Sequence, residues 1–343
     1  VFDYTQASQC FERITTIVEA DKTYEKTLNS SDSKEIKDED KNTLNSYIKS
    51  KLYIGKILLS TGQWDDGLKI LEPLKEKLSH ISSETVYGTY FSIGKTYALK
   101  RQHEKAIENF KESLTIAKNN NYQIEQGLCI GELAHSAFDL GNTEAALKGF
   151  TQELELFEKL KSPLNTSIAY GHLGMFYFQN GNMDKALDYF KKKYDISSKH
   201  DSKQQILMAL GNISLIHNIR GEYDKSLNIF KEVLDISEDI NDLRNQVMTY
   251  GNQGIIFKNL GKYETSLENY NKQLEISMKM DDLWQQSNAY DGIGVVYHKL
   301  KQYDKSENEA LKAIEIKEKI IIKIQEKITN IIVLKPIPKI FKS

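Results

Sequence analysis

The sequence predicts an all-α solenoid, a stack of helical hairpins, and three observations carry that prediction. The first is a repeat: "GNQGIIFKNLGKYETSLENY", from Gly251 to Tyr270, matches "GNISLIHNIRGEYDKSLNIF", from Gly211 to Phe230, forty residues upstream. The second is the scarcity of proline, four in 343 residues, which leaves long stretches free to be helical. The third is the spacing of apolar residues within each copy, which follows a helical period.

Taken in order, residues 6–28 read as a helix, a degenerate repeat or cap, and Asn29 to Asn42 as a polar loop. These make an N-terminal segment, 1–49. An array of seven copies then occupies 50–318. Its first copy, Tyr53 to Leu71, fits the template one residue out of phase. The other six align Tyr90, Ile130, Tyr170, Leu210, Tyr250 and Tyr290. Four residues after each stands a small residue: Gly94, Ala134, Gly174, Ser214, Gly254 and Gly294. A second small column runs Ala106, Ala146, Ala186, Ser226, Ser266 and Ser306, with Phe110, Phe150, Phe190, Phe230 and Tyr270 four residues later. In one copy, Tyr170, Leu173, Gly174 and Tyr177 share a helix face, Gly181 allows the turn, and Asp184 favours the start of the second helix. Small residues let the two helices approach closely, and no single hairpin can bury its own stripes, so neighbours must stack. The last part, 319–343, is an isoleucine-rich helix and a tail with Pro336 and Pro338. Ile316, Ile320, Ile324, Ile328 and Ile332 form a stripe that must cover the last repeat or meet a partner, self-association included.

Composition narrows the function. An apolar fraction of 40% with 27% charged residues suits a folded, soluble chain. A net charge of −2 lacks the basic footprint of a nucleic-acid binder, so no nucleic-acid partner is expected. Charges interrupt every apolar run, so no membrane partner is expected either. Cys10 and Cys129 form neither a disulfide framework nor a zinc ribbon, which fits a reducing, cytoplasmic setting. The chain opens on Val1, as a processed or trimmed segment would.

The pattern of a large residue, then a small residue, then an aromatic, followed by alanine and phenylalanine columns, resembles the tetratricopeptide repeat. The forty-residue period exceeds the family's usual length of about thirty-four. It is similar to the arrays of kinesin light chains and LGN-like polarity adaptors, with extended second helices and linkers such as "ISEDINDLRNQ". The resemblance covers roughly 50–318. It implies a right-handed superhelix whose first helices line a concave groove for peptides or helices. The family's clamp for chaperone tails, a lysine before the small column and an asparagine after it, is absent: those positions read Phe91, Gly131, Gly171, Gly211, Gly251, Asp291 and Lys95, His135, Met175, Leu215, Ile255, Val295.

Longer-repeat adaptors carry an asparagine two residues before the small column, where this chain has Asn212 and Asn252, with His172 and Glu132 in earlier copies. An amide offers both donor and acceptor to a ligand's peptide bond. The alternative is that these amides bind each other or a neighbouring turn. The apolar column with Met175, Leu215, Ile255 and Val295 either faces a ligand stripe or packs on the next helix pair, and the packing reading is preferred. Glu132, His135 and Asp139 share a face at i, i+3 and i+7. Without further ligands they suggest a patch for basic ligand residues more than a metal or acid–base site. The expected peptide-binding residues are therefore Asn212, Asn252, His172, Glu132, Met175 and His135.

No catalytic residue, metal or cofactor is expected, since nearly every position has a structural role in the repeat. The reading is a non-catalytic scaffold or adaptor holding a peptide or helix of a partner protein. The alternative is the sensory or regulatory region of a larger kinase, cyclase or caspase-like enzyme, of which this chain would be a fragment. A repeat-fold phosphatase regulator is weaker, as no residue set recommends it.

Overall fold

From Ser83 to Lys299 one local rule builds the chain: a helix of 17 residues, then a three-residue connector, then another helix of 17. The computed structural model describes residues 38–60, 62–75 and 82–333, with side chains for 45–59, 62–75 and 82–323. The chain divides into two compact units, Val1–Asn182 and Met183–Ser343.

In the first unit, α1 (Asp38–Ser60) and α2 (Trp64–Leu71) precede α3 (Ser83–Leu99), α4 (His103–Asn119), α5 (Gln123–Asp139), α6 (Thr143–Lys159) and α7 (Pro163–Gln179). In the second unit, α8 (Met183–Lys199), α9 (Lys203–Ile219), α10 (Tyr223–Asp239), α11 (Leu243–Asn259), α12 (Tyr263–Lys279), α13 (Leu283–Lys299) and α14 (Tyr303–Val333) follow. The fold class is the expected all-α solenoid, and the described residues contain no strand.

The connectors explain the forty-residue period. Gly141, Gly181, Gly221 and Gly261 adopt φ between +71° and +81°, as expected for the turn glycines. Asn121, Lys161, Asp201, Asn241 and Asp281, halfway between them, take the same left-handed conformation at φ of +48° to +57°. At Gly141 the glycine N–H donates to Phe138 O (2.9 Å) and Asn142 N–H to Ala137 O (2.9 Å), which satisfies the carbonyls at the helix end. Asn142 then caps α6 by accepting from Ala145 N at 3.0 Å. Between Ser83 and Lys279 extended second helices are therefore corrected: first and second helices are equal at 17 residues, because a non-glycine residue turns the chain between hairpins. Gly141→Ala is expected to cost about 1 kcal/mol, since a Cβ disfavours positive φ; the urea midpoint of the chain checks it.

The two small columns meet. Ser226, Ser266 and Ser306 donate their hydroxyls to the carbonyls of Ser214, Gly254 and Gly294, at 3.1, 2.7 and 2.9 Å. Ala106, Ala146 and Ala186 hold the same column in earlier repeats and are fully buried. A Cβ on Gly254 would lie 2.8 Å from the Tyr270 ring, and one on Gly94 2.7 Å from the Phe110 ring, so the aromatic column packs closely against the first small column. The first copy obeys the same rule one residue later, with Gly55 under Leu71. Its second helix is only eight residues long.

Two boundaries differ from the sequence reading. Residues 38–42, read as loop, are the first turns of α1. Helix α14 runs unbroken past residue 318 to Val333. Its Ile316 and Ile320 are buried and cover the last repeat, while Leu311, Ile314, Ile321 and Ile322 are exposed. The expected helix at 6–28, the side chains of Ile324, Ile328 and Ile332, and Pro336 and Pro338 lie outside the described residues.

Candidate functional site

First helices of successive repeats touch within each unit, α3 with α5 and α11 with α13, so each unit presents a face made of first helices. In the first unit that face carries a polar cluster. Lys95 on α3 donates to Glu132 on α5 at 2.6 Å. His135, one turn further along α5, packs edge-on against His172 of α7 (4.5 Å between centroids) and against Phe150 of α6 (4.8 Å). His172 Nδ1 lies 2.8 Å from Glu153 Oε2, a carboxylate on the second helix α6 that is only 1% exposed. Glu153 reaches this face over Gly131, where any Cβ would collide with its carboxylate. Burial, then His172 and Lys95, hold the His135 imidazole down to about 3, and burial pushes the Glu153 carboxyl up against the pull of His172.

Three of the residues expected from sequence, Glu132, His135 and His172, thus belong to one cluster, and Met175 sits half-buried on the same helix as His172. Glu132, His135 and Asp139 do not converge. Glu132 binds Lys95, His135 is enclosed by rings, and Asp139 lies 3.6 Å from His103 Nδ1. Among the described residues no group of three His, Cys, Asp or Glu side chains is arranged to hold a metal ion.

In the second unit Asn212 on α9 and Asn252 on α11 are half-buried. Neither amide makes a side-chain hydrogen bond to another described residue, so they bind neither each other nor a turn. The preferred packing reading of the apolar column is corrected here. Leu215, Ile255 and Val295 are 43%, 38% and 45% exposed, with Met208 and Met248 exposed two turns earlier on the same helices. They project from the first-helix face because the residues beside them, Ser214, Gly254 and Gly294, occupy the crossing. Asn252 also lines a cavity of about 370 Å³ between α11, α12 and α13, walled by Met248, Ile255, Gln285, Asn288 and Asp291. Asp291 is already paired with Lys317 of α14 at 2.6 Å.

Sequence reasoning missed Glu153, Lys95 and the cavity floor. The available signal was the second-helix column Ser113, Glu153, Lys193, Val233, Gln273 and Ala313, where polar groups occupy a position that is elsewhere small or apolar.

The sequence profile of the tetratricopeptide repeat matches residues 87–120 and, in overlapping copies, 128–199, 165–239, 205–279 and 245–319. The chain is a tetratricopeptide-repeat protein. Several solved repeat structures share the fold. A Rap protein complexed with competence and sporulation factor has a TM-score of 0.56 at 14% identity, covering 93% of this chain and 98% of that one. The Rap conjugation gene regulator of plasmid pLS20, complexed with the Phr* peptide, scores 0.57 at 17% identity over 85% and 79%. A STAND signal-transduction ATPase with a tetratricopeptide-repeat sensor, from Pyrococcus horikoshii, scores 0.65 at 15% identity over 84% of this chain and 45% of that one. At these identities the likeness is one of repeat fold. No curated protein sequence matches significantly. No helix among the described residues of this repeat protein is long and apolar enough to cross a membrane.

Proposed function

We propose that the chain is a non-catalytic interaction scaffold that holds a peptide or helix of a partner protein on a face formed by first helices within a unit. One observation carries this reading. In the second unit, exposed Leu215, Ile255 and Val295 stand beside half-buried Asn212 and Asn252, whose amides have no hydrogen-bond partner among the described residues. Apolar side chains offer burial to a ligand stripe, and unpaired amides offer the donor and acceptor that a ligand backbone needs. In the first unit, Glu132, His135 and His172 form the corresponding polar surface, with half-buried Met175 as its apolar neighbour. The Phr* peptide bound by the Rap conjugation gene regulator of similar fold supports the same reading.

The test is a random-peptide display on the folded chain, followed by titration of the recovered peptides. Asn212→Ala/Asn252→Ala is expected to weaken binding by about tenfold or more, the cost of losing one to two net hydrogen bonds. Circular dichroism of the variant should match that of the parent. Undiminished affinity in the double variant would remove the two asparagines from the binding surface.

A second reading, the sensor region of a larger signalling enzyme, is favoured by the likeness to the sensor-bearing ATPase. Sequencing the transcript on both sides of the region encoding Val1–Ser343 decides it: an adjoining enzyme domain supports the sensor, stop codons on both sides remove it.

A further inference from the structure

The second-helix column places one side chain where the repeat supplies no partner. Gln273 of α12 is 4% exposed and lines the cavity between α11, α12 and α13. It reaches the first-helix face over Gly251, where a Cβ would lie 2.8 Å from its Nε2. Its Nε2 donates to Gln285 Oε1 at 3.0 Å, while its Oε1 is buried without a hydrogen-bond partner. A desolvated acceptor with no donor is costly and is rare in folded chains.

The first unit shows what this position does when it is satisfied. Three periods upstream, Glu153 crosses Gly131 in the same way and meets His172 on the following first helix. The residue in register with His172 is Gly292. A Cβ there would sit 2.5 Å from the Tyr270 ring, so the larger aromatic of this repeat excludes any side chain from the partner's place. Among the described residues no donor reaches Gln273 Oε1, which leaves that place open to a donor from a bound ligand.

The cavity also indicates the donor's chemistry. Around Gln273 stand the amides of Asn252, Gln285 and Asn288, with Met248 and Ile255 as apolar walls. Its carboxylate, Asp291, is neutralised by Lys317. A charged side chain would lose its water with no free counter-charge to meet it, whereas a carboxamide exchanges donors and acceptors with amides. We infer that this cavity takes a neutral carboxamide side chain, asparagine or glutamine, of the bound peptide, with its N–H donating to Gln273 Oε1. The inference rests on the scaffold reading above.

The experiment selects random dodecapeptides on the full chain and on Gln273→Glu, and titrates the recovered peptides against both and against Gln273→Leu. A buried glutamate already occupies this register at Glu153, so the Glu variant is sterically matched. The leucine variant decides the question if the Glu variant does not fold. Expected are parent-selected peptides that share an Asn or Gln, lose about tenfold in affinity when it becomes Ala, and lose as much against Gln273→Leu. Gln273→Glu should instead select Lys or Arg at that position. A parent consensus with a basic residue, or affinities indifferent to both Gln273 variants but sensitive to Asn212→Ala/Asn252→Ala, would overturn this inference and leave the scaffold standing. Recovery of no peptide by the parent would overturn both.

Discussion

Lys193→Met is expected to stabilise the second unit by about 3 kcal/mol at pH 7, because the lysine carries a buried charge. The side chain lies on α8 at 3% exposure, and burial lowers its ammonium from 10.5 to about 8. Below pH 8 the folded chain therefore holds a desolvated cation that the unfolded chain keeps in water. As pH rises from 8 towards 10.5 the folded chain loses this proton before the unfolded chain does, so the parent gains stability across that window. Methionine keeps the length and volume of the stem and removes the charge. Urea midpoints at pH 7 and 10.5 should show a large gain at the lower pH and a much smaller one at the higher. Equal midpoints for parent and variant at pH 7 would mean that the ammonium is compensated in the fold.

Phe150→Ala is expected to cost about 3–5 kcal/mol, the range for emptying a fully buried aromatic site. The ring is 1% exposed and touches His135, His172 and Phe176. It also keeps water from the polar cluster, so its loss should let His135 rise from about 3 towards its ordinary 6.5. In the parent, His135 takes up its proton later when folded than when unfolded, so stability falls as pH drops from 6.5 to about 3. Glu153, raised by burial, works the other way and offsets part of that loss. Histidine titration by NMR separates the two effects of the variant. A large stability loss with His135 unmoved would assign its low value to His172 and Lys95 instead.

The sequence revealed the period, the small and aromatic columns and the glycine turns, because each is dictated by local backbone and packing constraints. The turns at Asn121, Lys161, Asp201, Asn241 and Asp281 escaped notice because any of these residues can be forced into positive φ when both flanking helices demand it. Glu132 and His172 were legible as candidate site residues because they hold one register on successive first helices, and His135 because it lies one turn from Glu132. Glu153 and Gln273 were not, because a second-helix residue reaches the first-helix face only where a glycine leaves a gap. Leu215, Ile255 and Val295 were misread because apolar character alone does not tell a core position from an open one.

The equal helices and three-residue connectors also bear on how the chain acquires its structure. Among the described helices most contacts join neighbours in sequence, and others reach the next first helix or, as Tyr194 does to Glu232, the next second helix. Chain closure thus never has to span more than about two helices, the topology associated with rapid folding. Within each unit any hairpin can serve as the nucleus, and growth proceeds by docking one helix at a time. Trimming a unit by a whole hairpin at its free end would shorten it without dissolving the rest.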